Sequence, residues 1–186
     1  SLGNIVTVRE LLEKHRGEAI RLALLSAHYR QPLDWSDDTV FQAHRRLDGL
    51  YDFLDEVGDA GDEDLAPPKA FMDALYDDLN IPKALAVLSE MVEGGAKKKD
   101  AGKTRNELRA AGALLGILQD NPDTWLRAGP DRDEIDQFVA EREAARASKD
   151  FQRADNIRNT LKERGVEVRD RPNAPPRWLR KVATDA

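Results

Sequence analysis

Apolar residues recur along this chain at helical spacing, in runs broken by glycine, proline and acidic residues. The densest run is EAIRLALLSAHYRQPLDWS, from Glu18 to Ser36. Ala19, Ile20, Leu22, Ala23, Leu24, Leu25 and Ala27 put apolar side chains on nearly every face of one helix. A helix apolar all round is buried on several sides, so the spacing predicts the central post of a helical bundle. Gly17 precedes it and Gln31-Pro32 ends it, because proline donates no amide and biases its predecessor away from α. Before the post, Thr7 followed by Glu10 reads as a capping box. That box opens a short helix through Leu11 and Leu12 to His15, with Gly17 as its C′ residue. After the post, Asp34-Trp35-Ser36 starts a new helix with Ser36 as N-cap.

From Asp37 to about Glu56, Val40, His44, Leu47, Tyr51 and Leu54 form a helical stripe that Phe41 and Leu50 widen. His44 reads as a partly buried polar group on that stripe. Val57–Pro68 (VGDAGDEDLAPP) is an acidic linker. A second helix pair follows: Phe71, Met72, Leu75 and Leu79 line the first member. Asn80 caps the second, Pro82 sits in its opening turn, and Ala84, Leu85, Leu88, Met91 and Val92 make its inner face. Gly94–Lys103 (GGAKKKDAGK) breaks the pattern; Lys97, Lys98 and Lys99 are candidate phosphate contacts, against the alternative of a solvated loop. Leu108, Ala111, Leu115 and Leu118 define the next helix, ending near Asn121-Pro122, with Trp125 and Leu126 tucked into the bundle edge from the loop beyond.

Gly129-Pro130 marks the clearest domain boundary. Beyond it a helical hairpin is predicted. Ile135, Phe138 and Val139 begin its first helix, and Phe151, Ala154, Ile157 and Leu161 stripe its second. Gly165 ends that helix, Val166-Glu167-Val168-Arg169 alternates like a short strand, and Asp170–Pro176 is a proline-rich turn leading to Trp178. The fold class is mainly α: an antiparallel helical bundle, then a small helical hairpin with a short C-terminal β-hairpin or extended segment.

Composition narrows the function. The 186 residues hold no cysteine, which removes disulfides, thiol nucleophiles and thiolate metal sites. No apolar run approaches the roughly 18 residues of a membrane span. SLGNIVTVRE lacks the basic start and apolar core of a signal peptide, so the cytoplasm is the expected compartment and no membrane partner is expected. The net charge of −6 argues against a general polyanion binder. The charge is uneven, however. Glu134–Ala186 carries twelve Lys+Arg against ten Asp+Glu, nine of the basic residues being arginine, so it is +2 and the rest −8. Arginine's planar fork suits phosphate and base edges.

Catalytic apparatus is nearly absent. His15, His28 and His44 lack metal-ligand spacing, no glycine-rich phosphate loop is present, and adjacent carboxylates such as Asp77-Asp78 diverge on a helix. The tail is different. Phe151, Asp155 and Arg158 share one side of a helix, Arg146 reaches that side from the helix junction, and Asp170 and Trp178 flank a turn leading back to it. An aromatic for stacking, arginines for phosphate and carboxylates for base donors suit single-stranded RNA. Each residue alone has a plainer reading: Phe151 also falls on the core stripe, Asp155–Arg158 is a surface ion pair worth under about 1 kcal/mol, and Trp178 covers the hairpin.

Four segments, SLGNIVTVRELL, EAIRLALLSAHYRQPLDWS, ALYDDLNIPKALAVL and AARASKDFQRADNIRNTLKERGVEVRD followed by a tryptophan, resemble bacterial cysteinyl-tRNA synthetases in order and spacing. In that family SLGN follows the lysine-methionine-serine-lysine catalytic loop. The resemblance therefore implies the C-terminal, tRNA-binding portion of a larger enzyme that uses ATP and a zinc site located in its missing catalytic domain. The fragment itself is expected to be inactive and to need no cofactor, and to hold no metal or catalytic residue. The implied division is 1–36, stem-contact-like helices; 37–128, a helical bundle of the DALR type; and 131–186, an anticodon-recognition module. The implied partners are tRNA(Cys), with its GCA anticodon, and the enzyme's own N-terminal catalytic domain, in a monomer.

Carried over by position, the anticodon residues are Arg146, Phe151, Asp155, Arg158, Asp170 and Trp178. Asp155 and Asp170 accept from base donors, Arg146 and Arg158 hold phosphate or base acceptors, and Phe151 and Trp178 supply stacking or the apolar wall behind it. One departure stands out. The family's glycine-containing turn ending in two threonines is replaced here by Arg171–Arg177, where Pro175 and Pro176 remove two backbone donors. Two other readings compete: a related ligase joining cysteine to a small-molecule amine, as in mycothiol biosynthesis, and a helical adaptor that binds protein.

Overall fold

The computed structural model describes residues 6–33, 35–59, 61, 66–97, 99–171 and 174–181. Among them are nine α-helices and one two-stranded antiparallel sheet. The chain divides after Pro122 into two compact units.

In the first unit, α1 (Val8–Lys14) opens on the expected capping box. The Thr7 amide donates to Glu10 Oε2 at 2.7 Å and the Glu10 amide to Thr7 Oγ1 at 3.3 Å. Gly17 is not the C′ residue of this helix. The Arg16 carbonyl already accepts from the Ala19 and Ile20 amides, so α2 (Gly17–Leu25) begins at once. The central post is also corrected. Both the hydroxyl and the amide of Ser26 donate to the Ala23 carbonyl (2.6 and 3.2 Å) and close α2 well before Gln31-Pro32. Ala19, Ile20, Leu22 and Ala23 are buried but Leu24 is 52% exposed, so the helix has one inner face. The following residues are held from a distant turn: Tyr29 Oη donates to Asp78 Oδ1 (2.6 Å) and Arg30 Nη2 does so at 3.3 Å.

The post is instead α3 (Asp37–Val57), which packs against α2, α5 (Ile81–Val92) and α6 (Ala101–Leu115). Ser36 caps it, accepting from the Thr39 amide, while Asp34 lies outside the described residues. Val40, Leu47, Leu50, Tyr51 and Leu54 are all buried. The predicted linker is described only in part; Gly61 accepts there from Asn106 Nδ2. In α4 (Lys69–Tyr76) the buried residues are Phe71 and Ala74. Leu79, expected on that stripe, is exposed, because the chain leaves the helix and turns through Asp78 and Leu79 at φ 54° and 51°. Asn80 caps α5 through the Lys83 amide, with Pro82 in the first turn. Between α5 and α6 the lysine loop carries a 3₁₀ turn at Gly95–Lys97.

α6 stops at Leu115, not near Asn121. Gly116 turns left-handed (φ 67°), and the Ile117 amide reaches back to the Gly112 carbonyl at 2.9 Å. Leu118 is buried as expected, but from the returning loop rather than from the helix. Glu18 holds that loop. Its carboxylate accepts from the Leu118 and Gln119 amides (2.9 and 2.8 Å) and from the Tyr51 hydroxyl (2.8 Å), which itself accepts from the Asp120 amide at 3.1 Å. Burial first, and the bond to Glu18 second, push the Tyr51 phenol up from its usual range.

Two helical glycines give opposite predictions. A Cβ at Gly112 would lie 2.9 Å from the Ile117 carbonyl oxygen and 3.0 Å from Leu118 Cβ, whereas at Gly49 nothing lies within 4 Å. Gly112→Ala is expected to destabilise by about 1–3 kcal/mol through overpacking. Gly49→Ala is expected to stabilise by about 0.5–1 kcal/mol, because alanine orders a helix with less entropy loss. Denaturant unfolding of the two variants checks both signs.

The His15 and His44 rings lie 6.0 Å apart. Burial first, then the charges of His15 and Arg16, hold the His44 imidazole down at about 4. An unfolded histidine binds its proton near pH 6.5, so between those values the unfolded state takes up a proton that the folded state refuses. Stability is therefore expected to fall as pH drops from about 6.5 to 4, by about 1–2 kcal/mol after allowing for partial solvation. Unfolding midpoints across that range, with His44→Gln flattening the slope, check it.

In the second unit, α7 (Pro122–Arg127) carries the buried Trp125 and Leu126 on a short helix rather than a loop. Asp123 takes two bonds from Arg132 (2.7 and 3.1 Å), fixing the start of α8 (Arg132–Ala147). α9 (Phe151–Glu163) packs on α8, and β1 (Val166–Arg171) pairs with β2 (Ala174–Arg180). Ile135, Val139, Ile157, Leu161, Val166, Val168 and Trp178 form one core. Gly165 turns the chain at φ 72°. The expected proline-rich turn is mostly strand: β1 runs through Arg171, and Pro175 and Pro176 belong to β2, with 172 and 173 outside the described residues. Arg169 pairs with Arg177 and Arg171 with Ala174, so the two prolines stand opposite the single residue Asp170. A bulge is where a strand tolerates residues without amide donors.

Candidate nucleic-acid interface

The last turn of α8, the first turns of α9 and the end of β1 meet in the second unit. The helix junction is tight: the Asp150 amide donates to the Ala145 carbonyl (2.8 Å), Lys149 is left-handed (φ 63°), and the Asp150 side chain caps α9 at the Arg153 amide (3.1 Å). This turn sets Arg146 beside Phe151. With Asp170 they line an open cleft of about 660 Å³, together with Glu143, Ala147, Arg171 and Ala174.

Phe151 is 63% exposed. It does not join the core stripe, which begins at Ala154. At the cleft floor the Asp170 carboxylate takes Arg142 Nη1 on Oδ1 (2.7 Å) and Arg142 Nη2 on Oδ2 (3.0 Å). Arg146 Nη1 lies 2.7 Å from Oδ1 and 3.5 Å from Glu143. The hydrogen bonds from Arg142, then the charges of Arg142, Arg146 and Arg158, hold the Asp170 carboxyl below the usual carboxylate range. It is ionised at neutral pH.

Asp155 and Arg158 are exposed on α9, the first within the field of Arg142 and the second within that of Asp170. Among the described residues no ion pair joins them to each other. Trp178 is not in the cleft. It is 3% exposed, paired with Val168 across the sheet, and its indole N–H donates to Asp136 at 2.6 Å. Burial leaves the ring no open face for a base, so of the two roles expected of it, stacking or an apolar wall, stacking does not fit this structure. Lys97 and Lys99 are exposed in the first unit, and Lys98 lies outside the described residues.

Sequence reasoning missed Arg142. It is 4% exposed, and it stands three residues after Val139 on the inner face of α8 and four before Arg146. A charged residue on a core stripe was the available signal, since buried charges are paired.

Three family matches fall in succession along the chain. Residues 1–45 match tRNA synthetases class I (C) catalytic domain, 70–120 the DALR domain, and 132–174 the cysteinyl-tRNA ligase anticodon binding domain. These are parts of a class I aminoacyl-tRNA synthetase. The chain is 49% identical over 183 residues to a cysteine–tRNA ligase of Parvibaculum lavamentivorans, covering 92% of this chain and 39% of that protein. It is 43% identical over 182 residues to that of Rhodospirillum rubrum (93% and 40%). For Xanthomonas oryzae pv. oryzae the identity is 43% over 204 residues (97% and 43%). The chain belongs to the cysteinyl-tRNA synthetase family and spans about two-fifths of the length of these relatives.

Proposed function

We propose that this chain is the tRNA-binding portion of a cysteine–tRNA ligase, and that the cleft at the α8–α9 junction reads the GCA anticodon of tRNA(Cys). The observation that carries the reading is an exposed aromatic, Phe151, at the mouth of a cleft floored by an ionised carboxylate between two arginines. The phenyl face can stack on an unpaired base, Asp170 and Asp155 can accept from base N–H groups, and Arg146 and Arg158 can hold phosphate or base acceptors. The match of residues 132–174 to an anticodon-binding domain supports it, and it counts against a ligase that acts on a small-molecule amine or a protein adaptor.

In this reading ATP and zinc serve the catalytic domain, of which this chain carries only the stretch matched by residues 1–45. Among the described residues no group of three His, Asp or Glu side chains is placed to hold a metal ion. The chain alone is then inactive in aminoacylation, and acts in a cytoplasmic, monomeric enzyme. No described helix is long and apolar enough to cross a membrane. Titration with tRNA at rising salt tests the reading. Phosphate contacts release counterions, so affinity is expected to fall steeply; binding insensitive to salt would sink it.

A further inference from the structure

We propose that Arg142 is the positioning residue of the cleft, the group that aims Asp170 at a base without touching RNA itself. The inference rests on the anticodon-reading function proposed above. Arg142 reaches Asp170 from the core side. Its side chain is 5% exposed, whereas that of Asp170 is 44% exposed, so one partner is sealed and the other open. The guanidinium fork contacts both carboxylate oxygens, a two-point grip that fixes the plane of the carboxylate as well as its position.

The count of acceptor sites then selects what can bind. Oδ1 accepts a hydrogen bond from Arg142 and has the Arg146 guanidinium 2.7 Å away as an ion pair, so two cations crowd that oxygen. Oδ2 carries only the second N–H of Arg142, leaving one acceptor position. An ionised carboxylate accepts and never donates, so the open position takes a base N–H or amino group and rejects a ring nitrogen or carbonyl oxygen. Asp170 stands opposite Pro175 and Pro176, neither of which has an amide to donate. Specificity at this base thus depends on a residue hidden beneath the surface.

The test compares the full 186-residue chain with Asp170→Asn, Arg142→Met and Arg142→Lys. Each is titrated against an RNA stem-loop bearing GCA and three stem-loops with one anticodon base changed. Asp170→Asn identifies the base that the carboxylate reads, as the position where discrimination is lost. Arg142→Met is expected to lose about tenfold or more of the discrimination at that same position and to keep it at the other two. Arg142→Lys keeps charge and stem but not the fork; it is expected to fold with the wild-type melting profile and still to lose the discrimination. Equal weakening at all three positions, or a folded Arg142→Lys chain with wild-type discrimination, would overturn the positioning role. If the wild-type chain prefers no stem-loop, the anticodon reading itself fails and the role of Arg142 falls with it.

Discussion

Replacing Glu18 with alanine is expected to destabilise the first unit by about 3 kcal/mol, or on the order of 10 °C in melting temperature. The carboxylate joins three parts of the chain that are distant in sequence. It ties the start of α2 to the Tyr51 hydroxyl on α3 and to the Leu118 and Gln119 amides after α6. Leu118 and Tyr51 are fully buried, so the donors released by the substitution gain little from water. Leaving a buried donor unmatched costs more than the net worth of the bond it made. Glu18→Gln retains one carbonyl oxygen and is expected to lose roughly half as much. Amide exchange localises the effect: protection at Leu118 and Gln119 should drop first. Unchanged protection in Glu18→Ala would mean that the loop is held by apolar packing alone.

Asp170→Asn is expected to have the largest effect in the second unit. It removes the stronger of the two anions at Arg142 and leaves Glu143 at 3.4 Å, a loss expected to cost about 1–3 kcal/mol because Asp170 is partly exposed. The acid limb of stability gives a sharper signature. The folded Asp170 carboxyl lies below its unfolded value, so it contributes stability that is present above the unfolded value and lost as pH falls through the folded one. Wild-type stability should therefore fall below about pH 4, and Asp170→Asn should lack that part of the fall. RNA affinity should drop about tenfold or more, because a carboxylate acceptor becomes an amide that both accepts and donates. Chemical unfolding at pH 3, 4 and 7, read from the fluorescence of the buried Trp125 and Trp178 with Trp35→Phe as background, measures the stability terms. An asparagine variant as stable as the parent would show that Glu143 alone suffices as the anion for Arg142.

Local chemistry in the sequence located the helix starts. The Thr7–Glu10 box, the Ser36 and Asn80 caps and Pro82 all act over three or four residues, and each is where the sequence placed it. The alternation from Val166 and the turn at Gly165 were legible for the same reason. Helix ends were not. The step from Leu115 to Leu118 keeps helical spacing while the backbone turns at Gly116; Leu118 is buried because the loop folds back over Gly112. α2 was overextended because apolar spacing continues through Ala27, while the ending depends on the Ser26 hydroxyl and on Asp78, some 50 residues away.

At the cleft, the spacing of Arg146, Phe151 and Asp170 was enough to bring them together, because one tight junction and one hairpin connect them. Phe151 escapes the core for a positional reason: it is the first residue of α9, one turn before the buried stripe of Ala154, Ile157 and Leu161. Trp178 could not be placed from its neighbours. Its burial depends on pairing with Val168 and on Asp136, 42 residues earlier, which takes the indole proton. Arg142 and Glu18 share that character. Each is a charged residue whose partner is supplied by folding rather than by sequence proximity.

The most direct test of the central claim is a titration of this chain against two tRNA transcripts at low and moderate salt. One carries the GCA anticodon, and the other differs in a single anticodon base. Salt-sensitive binding that prefers GCA by about tenfold or more is expected. Equal affinity for the two transcripts at both salt concentrations would contradict it, since binding would then rest on phosphate charge alone.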